Sequence, residues 1–416
     1  MSWIRSIFSK GKKKSTDEHP VLFNGLYRFN HSNIIADKDL NGCEISDTLF
    51  IEGDIKESTI GLVFGENYGL NILKNMKERF NNLFPSSLVI TTPSGNSDIY
   101  SKLPSIELPS LSEEEMTFFQ GKKWYTVNEE RINSYVDKLI SNKSLIFLFP
   151  ENNAFVLGLF EEISLYILSS GKQPVMFVHL PIAEKNIIDE FSILTFLYGL
   201  SRKSQKNPLP YVLVDDEKLI KNNQNKDSEE ILATFVRREA NLIADFIIGL
   251  QQTSEFYRVD QSNFLRIFQD ARGICRLISF DVYDNNPELS NLLIKIHEGD
   301  SFPLKSRATR GFFLIQPGPT GLTTASYRRI RESFSNSDVI FSFPQKRENG
   351  AILRGILAYN ILPREILKRL ENLGKLSISL YDELSNRIMF EDSTFLGAVF
   401  DASKWEISLP VVEKLK

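Results

Sequence analysis

Between about residue 58 and residue 250, short apolar runs alternate with longer stretches of helical period. The runs are Ile60–Phe64, Leu88–Thr91, Leu145–Phe149, Val175–His179 and Tyr211–Val214. Each is nearly unbroken in apolar residues, the pattern of a strand covered on both faces. The helical stretches are Leu70–Phe84, Asn128–Leu139, Ala154–Ser169 and Ser228–Thr253. In the last, Ile231, Phe235, Leu242, Phe246 and Leu250 return near a 3.6-residue period, and its length marks it as a spine between two bodies. Such alternation predicts a mostly parallel sheet with helices on its faces. A second αβ unit follows over about 255–362. It holds a helix Gln261–Ala271, strands Cys275–Phe280 and Gly311–Gln316, a turn-rich Pro317–Gly321, a helix around Ser326–Ser335, and strands near Asp338–Phe343 and Ala351–Ala358.

At 416 residues the chain is long for a single core, so two domains are the expectation. With 42% hydrophobic and 25% charged residues the chain has an ordinary globular composition, and a net charge of −4 argues against a nucleic-acid partner. Two cysteines, Cys43 and Cys275, are too few for a disulfide framework. The four histidines, His19, His31, His179 and His297, make no metal-ligand spacing, so no metal site is expected. No apolar run has the roughly 18–20 residues of a membrane span. The first residues lack the long apolar region of a secretory signal, and the expectation is a cytoplasmic protein.

The first fourteen residues depart from that average. Arg5, Lys10, Lys12, Lys13 and Lys14 stand there without an acid. On a helix Trp3, Ile4, Ile7 and Phe8 would share one narrow apolar face just ahead of the lysines. That combination suits a short helix lying on an anionic membrane surface, here the inner face of the cell membrane. Each lysine near such a surface contributes about 1 kcal/mol. A disordered basic tail, or a staple onto the protein's own surface, explains the same residues equally well.

Four phrases along the chain resemble, in order, those of the FtsZ/tubulin superfamily of filament-forming GTPases. They are Val175–Ile182 (VMFVHLPI), Tyr211–Ile220 (YVLVDDEKLI), Tyr257–Gly273 (YRVDQSNFLRIFQDARG) and Arg310–Thr324 (RGFFLIQPGPTGLTT). The similarity runs from about Ile60 to Tyr359. Another doubly wound α/β protein with chance phrases is the competing explanation. The resemblance implies an α/β fold: a Rossmann-like, mostly parallel sheet domain, a long central helix and a smaller second α/β domain. The boundaries that follow are a basic amphipathic segment (1–18), an N-terminal extension (19–57) and a nucleotide-binding-like domain (58–227). After these come the central helix (228–254), a C-terminal domain (255–370) and a C-terminal extension (371–416).

The resemblance also implies where GTP, and Mg with it, would sit, and in both phosphate loops the sequence departs from the family. The first loop reads Gly65-Glu66-Asn67-Tyr68-Gly69-Leu70-Asn71 against the family's GGxGxN. Gly65, Gly69 and Asn71 match, and Glu66 and Asn67 replace the glycine pair. A carboxylate facing a phosphate at 4 Å would be repelled by about 4 kcal/mol at an effective dielectric near 20. The signature loop, GGGTGTG in the family, reads Pro150-Glu151-Asn152-Asn153-Ala154-Phe155-Val156-Leu157-Gly158. Only Gly158 matches, and Pro150 removes a backbone donor.

The stretch after Leu180 lacks the family's ribose-side Arg, and Thr91-Thr92-Pro93-Ser94 lacks its metal-side Asp. Asn241 matches the base-reading position, although an ordinary polar residue on a helix face explains it as well. Of the acids that would polarise water across a subunit contact, Asp260 matches the first and Asn263 replaces the second. Asp260 reads equally as the N-cap of the helix that follows.

The expected function is a cytoskeletal or scaffold subunit with weak or absent GTP hydrolysis, assembling with itself or with an active paralogue. Two readings compete. One is a filament-forming GTPase whose nucleotide contacts come from Asn67, Asn152, Asn153 and Lys122 or Lys123. The other is a monomeric regulator that caps an FtsZ-like filament.

Overall fold

The structure, a computed structural model, describes residues 59–80, 86–92, 103–109, 118–180, 193, 196, 209–221, 227–251, 261–270, 274–282, 310–316, 332, 338–342 and 351–358. The expected segments 1–18, 19–57 and 371–416, Asp260, and all of the helix around Ser326–Ser335 except residue 332 lie outside them. The strands are β1 (Ile60–Phe64), β2 (Ser87–Thr91), β3 (Ser105–Glu107), β4 (Leu145–Phe149), β5 (Gln173–Leu180), β6 (Tyr211–Asp215), β7 (Ile274–Val282), β8 (Arg310–Gln316), β9 (Asp338–Ser342) and β10 (Ala351–Ala358). The helices are α1 (Tyr68–Arg79), α2 (Phe118–Val127), α3 (Glu129–Ile140), α4 (Ala154–Ser169), α5 (Asp216–Lys221), α6 (Ser228–Gln251) and α7 (Gln261–Asp270).

Among the described residues, ten strands form one sheet in the order β3-β2-β1-β4-β5-β6-β7-β10-β8-β9. From β3 to β7 every pairing is parallel. β10 then runs antiparallel between β7 and β8, and β9 closes the sheet parallel to β8. The order reverses at β1, which has β2 on one side and β4 on the other. In open α/β sheets the crevice beyond the carboxyl ends of the strands at such a reversal is where ligands bind.

The continuous apolar runs are buried as their composition requires: β1, β2, β4 and β5 have no exposed position. A chain of aromatic rings crosses the strands, Phe64 on Phe149 at 5.2 Å, Phe149 on Phe177 at 4.5 Å and Phe147 on Phe177 at 5.3 Å. One hydrophobic cluster reaches from Ile60 through α6 to Ile356 and Ala358. Cys275 is part of it, and burial pushes its thiol up to about 12, so it packs as an apolar side chain.

Three elements have no counterpart in the hydrophobic pattern. β3 spans three residues, too few to show a period. α5 is a six-residue helix directly after β6, in a stretch that reads as loop. α2, with the sequence FFQGKKWYTV, mixes aromatics, lysines and a glycine and has no polar stripe. Its shape is set by what it crosses. A Cβ on Gly121 would collide with the carbonyl of Phe155, and one on Gly158 with the carbonyl of Phe118. Helices α2 and α4 therefore touch backbone to backbone at this glycine pair. Lys122 ties the crossing laterally to Glu161 at 3.3 Å and Glu162 at 2.9 Å.

Candidate functional site

The loops after β1 and β4 meet at the point where the strand order reverses. The N–H of Gly65 donates to the carbonyl oxygen of Phe149 at 2.9 Å. Asn67 has a positive φ of 47°, a backbone conformation that side chains rarely adopt. The turn thus keeps a glycine-like backbone without the glycine, and the Asn67 side-chain amide donates to the carboxylate of Glu151. Glu66 reaches the other way, to the end of β2. Its carboxylate accepts from the N–H of Thr92 at 2.8 Å, from the Thr91 hydroxyl at 3.2 Å and from the Thr92 hydroxyl. One acid therefore cross-links β1 to β2, while the other links the two loops.

Gly69 is the second residue of α1, and a Cβ there would press on the backbone of Phe64 and Phe149. Asn71 is exposed on α1 and donates its N–H to the carbonyl of Asn67 at 2.9 Å. Gly65, Gly69 and Asn71 therefore share one turn. Gly158 stands apart from them, inside α4 and against α2. Asn241 is half-buried on α6. Asn263 belongs to the backbone of α7, its side chain falling outside the described residues, as Asp260 does entirely.

At the head of α4, Asn153 is extended (φ −93°, ψ 132°), and its side-chain oxygen accepts from the N–H groups of Phe155 at 2.9 Å and Val156 at 3.3 Å. This is an N-cap, and it takes two of the donors that a helix start would otherwise offer to an anion. Asn153→Ala is expected to lower stability by about 1 kcal/mol, read from urea unfolding. The aromatic ring of Phe155 belongs to the interior. It is buried against Trp124 of α2, with ring centres 6.1 Å apart, because its place in the first turn of α4 faces that helix.

Beside these loops lies a group that spacing alone did not reveal. Tyr68, the first residue of α1, donates its hydroxyl to Glu239 of α6 at 3.0 Å. His179, near the end of β5, lies between two acids, with Nδ1 2.7 Å from Asp216 of α5 and Nε2 3.4 Å from Glu239. The rings of Tyr68 and His179 are 4.4 Å apart. Burial by itself would push the imidazole down, but the charge and hydrogen bonds of Asp216 and Glu239 outweigh it and raise it from 6.5 to about 10. At neutral pH both ring nitrogens carry protons, so the ring is a bridging cation with no lone pair to act as a base. Burial, and then Glu239, push the Tyr68 phenol well above its ordinary value. The second oxygen of Glu239, Oε1, is buried with no partner among the described residues.

The four residues come from α1, β5, α5 and α6 and are up to 171 positions apart in sequence. Only the fold gathers them. The one hint in the sequence was polar residues, His179 and Asp216, at the carboxyl ends of two apolar runs. Among the described residues, no cluster of three His, Cys, Asp or Glu is placed to hold a metal ion. Within the same residues, no helix is long and apolar enough to cross a membrane.

No family model matches the chain. No curated protein matches it either. Solved structures do. An empty FtsZ dimer from M. jannaschii is 13% identical with a TM-score of 0.56, over 73% of this chain and 88% of that one. CetZ from Methanosaeta thermophila is 16% identical with a TM-score of 0.59, over 79% and 94%. TubZ from Bacillus thuringiensis serovar israelensis, as a GTPγS-form protofilament, is 12% identical with a TM-score of 0.60, over 79% and 95%. These likenesses agree with the strand order and with the crevice at its reversal: the chain has the fold of the FtsZ/tubulin superfamily.

Proposed function

We propose that this chain is an FtsZ/tubulin-like assembly subunit that polymerises with itself or with an active paralogue and has little or no GTP hydrolysis of its own. The observation that carries this reading is the use made of the two loops at the strand reversal. A polyphosphate needs backbone N–H groups and cations there. Instead, Asn153 caps α4, the N–H of Thr92 goes to Glu66, and Glu66 and Glu151 bring negative charge to the mouth of the crevice. These residues do not fit a triphosphate, and no step through GTP or Mg is assigned to them. Lys122 does not supply the missing cation, being committed to Glu161 and Glu162.

The self-assembly part rests on the fold and on the protofilament form of its structural neighbour. The basic segment 1–14, with Trp3, Ile4, Ile7 and Phe8, is proposed to hold such polymers at an anionic membrane surface. Many weak copies in one polymer would add up to stable attachment. A division of labour between a domain at 58–227 and one at 255–370 belongs to the same proposal.

Sedimentation of the purified protein tests the reading, with and without GTP and Mg and with and without anionic vesicles, while phosphate release is followed. The expected result is pelleting that does not depend on GTP, no phosphate release above buffer, and vesicle binding that is lost on deleting residues 1–14. Robust phosphate release that disappears with Asp260→Ala would overturn it in favour of an active GTPase. A chain that stays in the supernatant yet co-pellets with active FtsZ-like filaments would overturn it in favour of a monomeric regulator.

A further inference from the structure

The parallel and antiparallel halves of the sheet are joined by a thin seam. β6 and β7 pair at Tyr211–Ile274 and Val212–Cys275, whereas β7 and β10 pair along eight residues. The helix α6, 24 residues long, packs on α1 on one side and on β7 and β10 on the other. It sends one buried carboxylate into each half. Glu239 meets Tyr68 and His179 of the parallel half. Asp245 accepts from Nε of Arg354 in β10 at 2.8 Å, with both side chains nearly dry. The two acids are six residues apart, so they leave the helix on faces about 120° apart. A turn or slide of α6 would strip both from their partners at once. Phe246, one residue on, packs on Phe264 of α7 and Phe312 of β8, both at 5.4 Å.

We propose that α6 is a double-clasped strut, and that its two buried polar clasps, rather than the seam between β6 and β7, make the two halves of the sheet open as one cooperative unit. A hydrophobic cluster that runs from Ile60 to Ala358 through α6 is what such a unit requires. Removing the helix carboxylate takes a close anion from buried Arg354 in one clasp and from His179, which keeps Asp216, in the other, so each clasp resists separation more than a surface pair would. With one clasp removed, α6 should stay with the half whose clasp remains. The other half should then open first.

Hydrogen exchange of the full chain across a urea series reads this directly. In the wild type, peptides of β1, β4 and β5 and peptides of β7, β8 and β10 should lose protection at one common midpoint. In Asp245→Asn the β7, β8 and β10 peptides should open earlier by about 0.5–1 M urea, while α6 keeps the midpoint of the parallel half. In Glu239→Gln the assignment of α6 should reverse. Two separate midpoints in the wild type overturn the proposal without any variant. So does a variant that lowers both halves equally, since that is what loss of ordinary packing would do. Should Asp245→Asn fail to fold, the wild-type series and Glu239→Gln decide the question.

Discussion

Replacing His179 with leucine is expected to cost about 3–5 kcal/mol at neutral pH, the range for removing one partner from a buried charge pair. Leucine keeps the bulk beside Tyr68 and Phe235, so packing is not the source of the loss. The source is electrostatic: Asp216 and Glu239 would be left with no cation between them. Glu239→Gln in the same background should restore part of the loss, because it removes one of the opposed charges.

The pH dependence has a definite sign. The folded imidazole titrates near 10 and the unfolded one near 6.5. Its contribution is complete below about 6.5, declines as pH rises, and is gone above about 10. Urea unfolding of wild type and His179→Leu across that window should show the two curves converging at the alkaline end. A constant difference over the whole window would mean that the ring acts by shape alone.

The second large effect is expected at the helix crossing. Gly158→Ala places a methyl against the carbonyl of Phe118, and no rotamer change relieves a clash between backbone and Cβ. The helices α2 and α4 would have to separate, loosening the packing of Trp124 on Phe155 and the pairs made by Lys122. The loss should be about 3 kcal/mol, at the upper end for overpacked interiors. Gly121→Ala should match it, since its methyl meets the carbonyl of Phe155 from the other side. The double variant should cost less than the sum, because one separation of the helices accommodates both methyls. Urea unfolding of the three proteins measures this. Costs that add fully would show that the two glycines serve separate contacts.

The parallel sheet was readable because buried strands are written as unbroken apolar runs, and those runs coincide with β1, β4 and β6 to within a residue. α6 was readable from its period. Elements that carry no pattern of their own, α2 above all, were not. Its sequence makes sense only against α4, where two glycines 37 positions apart meet. Gly158 shows the limit of motif reading: identity at one position of a loop pattern does not say which way the residue faces. Asn67 shows the converse, since the family's glycine is gone while the position takes a positive φ, the region that favours glycine. The group around His179 could not be read from spacing, because its members come from four elements and no short motif contains two of them.

The three residues of β3 set a boundary on how copies of this chain can meet. A sheet edge with unpaired amides invites the edge of another molecule, and a long flat one leads to uncontrolled stacking. β3 pairs with β2 only from Ser105 to Glu107, beginning just after Pro104, which has no N–H to offer. So short a margin gives a neighbour too little ladder to hold. Among the described residues β3 is the last strand on this side, and this rim is thereby poorly suited to joining the sheet's strands to another molecule's.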